Sequence, residues 1–220
     1  MKTKVILFDL DGTLIDSTQA IIGTFRHAFE VQGEIFHGSD EDIKSVIGYP
    51  LDIMFSKLGV KETKVWDYVD SYKERYRVIS KQQTTLLDKA QEAVEYASKF
   101  ARLGVVTTKT GLYSVELLEH FGLMHYFETL VGREHVQNPK PHPEPIITAL
   151  NNMKIDKSFF EVWMIGDTKL DLISANEAKI NSVAVMCGYG EENELKMYSK
   201  HVVKNPLNAV ELIKNVKNML

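Results

Sequence analysis

A short apolar run, Val5-Ile6-Leu7-Phe8, ends abruptly at Asp9, and this junction constrains the fold more than any other feature of the chain. Four consecutive apolar residues leave a strand with no polar side to turn to water. Such a strand must be covered on both faces, as in parallel sheets flanked by helices. Similar runs recur at Leu103 to Thr107, around Thr129 to Val131, at Phe160 to Ile165 and at Ser182 to Met186. Helical patterns lie between them, at Asp88 to Ala101, Gly111 to His120, Pro143 to Met153 and Leu170 to Ala178. Alternation at this spacing predicts βαβ units, and so an α/β chain on an open parallel sheet with helices on both faces.

The stretch from Asp16 to Lys81 breaks the rhythm, with helical pattern and no buried strand. Val65, Val69, Tyr72 and Tyr76 recur at helical spacing with Trp66 beside the stripe, as expected of a helix packed into a bundle. The expected organisation is a core of residues 1–15 and 82–220 with a helical insertion, a cap, at 16–81. A chain of 220 residues is long enough to bury both.

The formal net charge of −4 argues against a nucleic-acid or anionic-membrane partner, since both need a basic face. Cys187 is the sole cysteine, so no intramolecular disulfide can form, which fits a reducing cytoplasm. It reads as a small core residue near a strand end. The apolar run after Met1-Lys2-Thr3-Lys4 is too short for a signal core, and no segment has the apolar length that spans a bilayer. A soluble, cytoplasmic protein is expected.

Four elements at predicted strand ends carry chemistry, and in open α/β sheets that edge is where ligands bind. The first is Asp9-Leu10-Asp11-Gly12-Thr13-Leu14, with two carboxylates two residues apart and a glycine that permits a tight turn. A calcium loop does not fit, because Thr13 replaces an Asp or Asn, and Ala20 stands where a bidentate Glu is needed. The second is Thr107-Thr108-Lys109, where a strand-end hydroxyl and a free N–H can hold a phosphate oxygen. The third is Asn138-Pro139-Lys140-Pro141-His142-Pro143, whose prolines stiffen the loop that carries Lys140. The fourth is Gly166-Asp167-Thr168-Lys169-Leu170-Asp171. One Asp there could cap a helix, whereas two suit a Mg²⁺ pocket of carboxylates and phosphate oxygens.

In the order Asp-x-Asp, Thr, Lys, Gly-Asp-x₃-Asp, these elements resemble the haloacid dehalogenase superfamily of phosphotransferases. Phe8 to Ser17 is similar to the branch containing phosphoglycolate phosphatase and a bacterial pyrophosphatase, and Ile47-Gly48-Tyr49-Pro50-Leu51 is similar to its substrate-specificity loop. The chain departs from the pattern at Leu86-Leu87-Asp88, where Pro-Gly is frequent, at Thr108, where Asn is frequent, and at Lys179, where Gly is.

The resemblance implies a Rossmann-like core with a helical cap, and a Mg²⁺-dependent phosphatase acting on small phosphate monoesters. Asp9 is then the nucleophile that forms an aspartyl-phosphate, Asp11 the proton donor and acceptor, and Lys140 the group that neutralises transition-state charge. Asp9, the Asp11 main-chain carbonyl and Asp167 hold the metal, with Asp171 orienting its waters. Gly12, Thr13, Thr107, Thr108 and the cap residue Tyr49 face the substrate, a small phosphorylated metabolite. A monomer and a homodimer are equally open.

An inorganic pyrophosphatase is an alternative. A sugar phosphomutase is a minor one, since Ile21 stands where such enzymes carry a cap His. From another class, a receiver-like phosphate- and Mg²⁺-binding module also joins Asp, Thr and Lys on a parallel sheet, but it has its acceptor Asp in mid-chain and no cap. No P-loop, His-Glu-x-x-His or nucleophilic serine elbow occurs in the chain.

Overall fold

The computed structural model describes residues 3–216. The chain divides into two compact units, Met1–Ile15 with Leu86–Leu220, and Asp16–Thr85. In chain order, β1 (Thr3–Phe8) is followed by the short β2 (Ile15–Asp16), and then by the helical unit of α1 (Thr18–Val31), α2 (Asp40–Lys44), α3 (Leu51–Lys57) and α4 (Val65–Ile79). β3 (Thr85–Leu86) pairs with β2, and α5 (Ala90–Ala97), β4 (Ala101–Val106), α6 (Gly111–His120), β5 (Thr129–Val131) and α7 (Glu144–Asn152) follow. The chain continues through β6 (Phe160–Gly166), α8 (Lys169–Glu177), β7 (Asn181–Val185), α9 (Glu192–Tyr198), β8 (Val202–Val203) and α10 (Pro206–Asn215). Among the described residues no helix is long and apolar enough to cross a membrane.

The first unit is built on a six-stranded sheet in the order β5-β4-β1-β6-β7-β8, with every neighbouring pair parallel. The expected α/β architecture is therefore present. β1 lies between β4 and β6, and its alternate residues serve different layers. Ile6 and Phe8 join Val94, Leu117, Val210 and Ile213 in one core, under α5, α6 and α10. Val5 and Leu7 join Ile146, Leu150 and Ala175 in the other, under α7 and α8. Val5, Ile6, Leu7 and Phe8 are each fully buried, which is why the run tolerates no polar residue. From β1 the chain builds outward through β4 and β5, then returns to β6 on the opposite side. This reversal leaves a crevice at the carboxyl ends of β1 and β6, where Asp9 and Asp167 follow.

The expected helix Asp88 to Ala101 is shorter in the structure. It begins at Ala90, after Lys89 turns through φ 63°, and it ends at Ala97, because Ala101 already pairs with Lys4 in the sheet. α9, β8 and α10 are additions to the sequence reading. Val202–Val203 is too short a run to stand out, although Asn205, whose side chain accepts from the Asn208 N–H at 3.0 Å, and Pro206 mark the start of α10 by ordinary capping chemistry. The unit division falls at Thr85/Leu86 instead of 81/82, because the Gln82 and Gln83 N–H groups still bond to the Ile79 carbonyl and prolong the end of α4.

Within the helical unit, α1 packs along α4 around an aromatic centre. The Phe55 ring centroid lies 4.4 Å from Phe25, 5.5 Å from Tyr68 and 6.2 Å from Tyr72. The stripe Val65, Val69, Tyr72 and Tyr76 is buried here, while Trp66 is 62% exposed.

This contrast generates a stability prediction. Phe55→Ala is expected to cost about 3–5 kcal/mol through lost burial and an unfilled cavity. Trp66→Ala should stay within about 0.5 kcal/mol of the parent. Urea unfolding followed by far-UV circular dichroism compares the two, and a larger loss for Trp66→Ala would contradict the assignment of the buried face.

Candidate active site

The parallel ladder delivers the first carboxylate. Phe8 pairs with Val105 on one side and Ile165 on the other, and the Asp9 N–H bonds to the Ile165 carbonyl at 2.9 Å. Asp9 therefore leaves the sheet level with Gly166 at the end of β6, one residue before Asp167. Asp9 is 4% exposed, and Asp167 and Asp171 are fully buried.

Lys140 is not a solvated loop lysine. It is 3% exposed, and its Nζ donates to Asp9 Oδ1 at 2.8 Å, to the Val106 carbonyl at 3.1 Å and to Asp171 Oδ1 at 2.5 Å. An ammonium has three N–H groups, and all three are met by these acceptors. The prolines are helped in fixing the loop. Glu144 accepts from the Gln137 and Asn138 N–H groups at 2.8 and 3.0 Å, and Ser174 Oγ donates to the His142 carbonyl at 2.9 Å.

Asp171 divides its carboxylate between two tasks. Oδ1 faces Lys140, while Oδ2 accepts from the Thr168 N–H at 3.1 Å and the Thr168 hydroxyl at 2.7 Å, closing the first turn of α8. The capping role and the site role weighed for the two aspartates thus coexist in one residue. Asp167 is held from both sides, by the Thr13 hydroxyl on Oδ1 at 3.0 Å and by the Tyr189 N–H on Oδ2 at 2.8 Å. Gly12 sits against it at φ +82°, where a Cβ would run into the Asp167 carboxylate. Gly188 approaches the same carboxylate from the loop after β7 and also leaves no room for a Cβ.

Three carboxylates share this corner with one lysine. Burial pushes the Asp9 carboxyl up to about 7, outweighing the attraction of Lys140, and Asp171 adds to the rise. Burial likewise lifts Asp167 well above the carboxylate range, with repulsion from Asp9 and Asp171 behind it. For Lys140, burial works against the charge, but Asp171 and Asp9 prevail and keep it protonated. Carboxylate oxygens of Asp9, Asp167 and Asp171 lie within 4.8 Å of one another. An all-oxygen cluster of three crowded carboxyl groups fits a hard divalent cation, which relieves their mutual repulsion.

The remaining predicted residues have separate places. Thr107 is buried at the end of β4, its N–H on the Val131 carbonyl at 2.9 Å and its Oγ1 accepting from the Lys109 N–H at 3.1 Å. Thr108 is half-buried in the turn that follows. The Asp11 side chain is not one of the three clustered carboxylates and forms an ion pair with Lys109, Nζ lying 3.0 Å from Oδ1 and 2.9 Å from Oδ2. Tyr49 belongs to the helical unit, where Lys57 Nζ lies 4.7 Å from its ring centroid. Cys187 is half-buried with Sγ 3.5 Å from the Gly12 carbonyl. Burial, and then Asp167, pushes its thiol up to about 12, which leaves it unreactive.

Sequence reasoning passed over Lys109, Gly188 and Tyr189. Lys109 follows two threonines at a strand end and carried a signal that was not taken up. The Tyr189 contribution is a main-chain N–H, which no residue type announces.

Comparison with known proteins identifies the family. Residues 6–185 match the family model described as haloacid dehalogenase-like hydrolase. The chain is 32% identical over 218 residues to pyrophosphatase PpaX of Bacillus pumilus, covering 96% of each. It is 30% identical over 195 residues to a 5'-nucleotidase of Pseudomonas aeruginosa, covering 88% of this chain and 87% of that one. A haloacid dehalogenase-like family hydrolase of Streptococcus pneumoniae superposes with a TM-score of 0.85 at 26% identity, covering 96% of this chain and 98% of that one. This chain is an enzyme of the haloacid dehalogenase-like hydrolase family.

Proposed function

We propose that this hydrolase is a Mg²⁺-dependent phosphatase that removes phosphate from small phosphorylated metabolites through an aspartyl-phosphate on Asp9. The observation that carries this reading is the buried Lys140 bridge between Asp9 and Asp171, with Asp167 in the same cluster. A carboxylate fixed at a strand end by a saturated lysine can attack phosphorus in line without first reorganising. The family resemblance and the relatives named as a pyrophosphatase and a 5'-nucleotidase support the same reaction type.

In this mechanism an Asp9 oxygen forms a bond to phosphorus as the bond to the leaving oxygen breaks. Asp11 gives that oxygen a proton, and later takes one from the water that attacks the aspartyl-phosphate, regenerating Asp9. Thr107 and the Thr108 N–H hold phosphoryl oxygens, and Lys140 offsets the charge that develops on them. Asp9, the Asp11 main-chain carbonyl and Asp167 would hold Mg²⁺, with Asp171 orienting its waters. When bound, the ion screens the phosphate dianion against the carboxylates. Tyr49, in the helical unit, is the residue assigned to reading the substrate beyond its phosphate.

Turnover of an aryl phosphate should require Mg²⁺ and stop on chelation. Asp9→Asn should lower kcat by on the order of 10⁴-fold or more, as expected when a nucleophile is removed. Full activity in excess chelator, or in Asp9→Asn, would sink the nucleophile and metal assignments together.

Asp11→Asn separates proton transfer from nucleophilic attack. In single-turnover rapid quench, transfer from an alkyl phosphate should fall roughly 10²–10⁴-fold, whereas an aryl phosphate, whose leaving group departs without a proton, should lose little. Phosphoenzyme should accumulate with the aryl substrate. Equal losses on both substrates would mean that Asp11 shapes the site without moving the proton.

The raised carboxyls also link metal to pH. Asp9 binds its proton more tightly in the folded protein, at about 7 against an ordinary 3.8, and Asp167 shifts in the same direction. An acid raised by folding contributes its full stability below its unfolded value and loses it as pH climbs through its folded one. The metal-free enzyme should therefore weaken between about pH 4 and about pH 7. A divalent ion replaces those protons, so Mg²⁺ should raise Tm by several degrees near pH 7.5 and by much less near pH 5.5. Equal increments at the two pH values, read by differential scanning fluorimetry, would count against these carboxylates as ligands.

A further inference from the structure

We infer that Lys109 recognises the leaving group, selecting substrates that carry a negative charge close to the oxygen that departs. This rests on the phosphatase reading above and on Asp11 as the group that meets the departing oxygen. The site holds two buried or nearly buried lysines with divided duties. Lys140 directs its three N–H groups to Asp9, Asp171 and the Val106 carbonyl, so its charge serves the nucleophile and the transferring phosphoryl group. Lys109 belongs to a different carboxylate, lying within 3.0 Å of both Asp11 oxygens.

That position is fixed from the backbone. The Lys109 N–H donates to Thr107 Oγ1 at 3.1 Å, and its carbonyl accepts from the Arg133 N–H at 3.0 Å. Beyond the turn, the Glu134 carboxylate accepts from the Gly111 N–H at 2.8–2.9 Å and closes the start of α6. The two side chains, 10% and 12% exposed, are drawn into the site and away from solvent. An oxygen that approaches within hydrogen-bond range of Asp11 is therefore also brought within about 6 Å of the Lys109 ammonium, two hydrogen-bond lengths away. A carboxylate or phosphate one or two bonds beyond that oxygen can turn toward the ammonium and close on it to hydrogen-bond length. A neutral alcohol there gains nothing from the charge. The shared chemistry is an oxyanion on the leaving group, either the carboxylate of phosphoglycolate or the second phosphate of pyrophosphate.

The test compares phosphoglycolate and pyrophosphate with 2-hydroxyethyl phosphate, an analogue of phosphoglycolate whose leaving group is neutral, in the full chain with Mg²⁺. In Lys109→Met, kcat/KM for at least one of the two anionic substrates should fall about 10- to 100-fold further than for the neutral analogue, the range of one charged hydrogen bond. Whether one or both anions lose identifies the anion that Lys109 serves. Lys109→Arg should recover most of the preference, and Lys109→Gln repeats the neutralisation with a polar side chain, so that a folding defect in one variant decides nothing. Equal loss on all three substrates would overturn the inference and leave Lys109 as an anchor for Asp11 alone. Absence of any Mg²⁺-dependent turnover by the parent enzyme would overturn the phosphatase reading itself, and this inference with it.

Discussion

The Lys140 ammonium, closed in by Asp9, Asp171 and the Val106 carbonyl, is the contact on which the rest of the site depends. Buried ion pairs of this kind are poor stabilisers, because desolvating the charges costs about as much as their attraction returns. A core built only for stability would place apolar residues there. What the arrangement does provide is a buried carboxylate held at one position with its charge partly offset. Removing the lysine would leave Asp9 and Asp171 facing each other in a buried corner that already contains Asp167.

The sheet makes this contact possible. Parallel strands all end on the same edge, and the chain reverses direction between β1 and β6, so groups from β1, β4 and β6 converge beyond that edge. Each strand supplies a different kind of group: a buried carboxylate after β1, a hydroxyl and a lysine after β4, and a gripped carboxylate after β6. The two cores beneath have the alternation of β1 as their common boundary. Mutations there would shift the spacing of the groups at the sheet edge as well as the stability of the sheet, since close-packed interiors transmit small displacements.

Electrostatically the site has two halves. Around Asp9 and Asp167, burial and mutual repulsion raise both carboxyls, so that a divalent cation can take the place of their protons. Around Asp11, the Lys109 ammonium lies within 3.0 Å of both carboxyl oxygens. This division suits the proposed reaction, in which phosphorus is attacked on one side and a proton meets the departing oxygen on the other.

Much of the fold could be read from the chain itself, because buried strands and packed helices impose local periodicities. The run Val5 to Phe8, the helix Gly111–His120 and the buried stripe of α4 all follow from residue patterns that span a single element. Asp9, Thr107, Lys140 and Asp167 could be picked out because each stands at a strand end or on a stiff loop. Residue type was less telling at Lys89 and Lys179, which take left-handed backbone angles of 63° and 56° where glycine would be expected. Lys109 and Asp11 are 98 residues apart in sequence, and Lys140 and Asp9 are 131 apart. Nothing local to either member of a pair specifies the other. Their meeting depends on strand order and register, which arise from packing the whole sheet, and the Tyr189 N–H that grips Asp167 depends on backbone direction alone. The sequence by itself determined which chemistry the chain could carry, because residue types and local periods are written in it. Only the tertiary structure decided which carboxylate each lysine serves, because that choice is made by contacts between elements far apart in the chain.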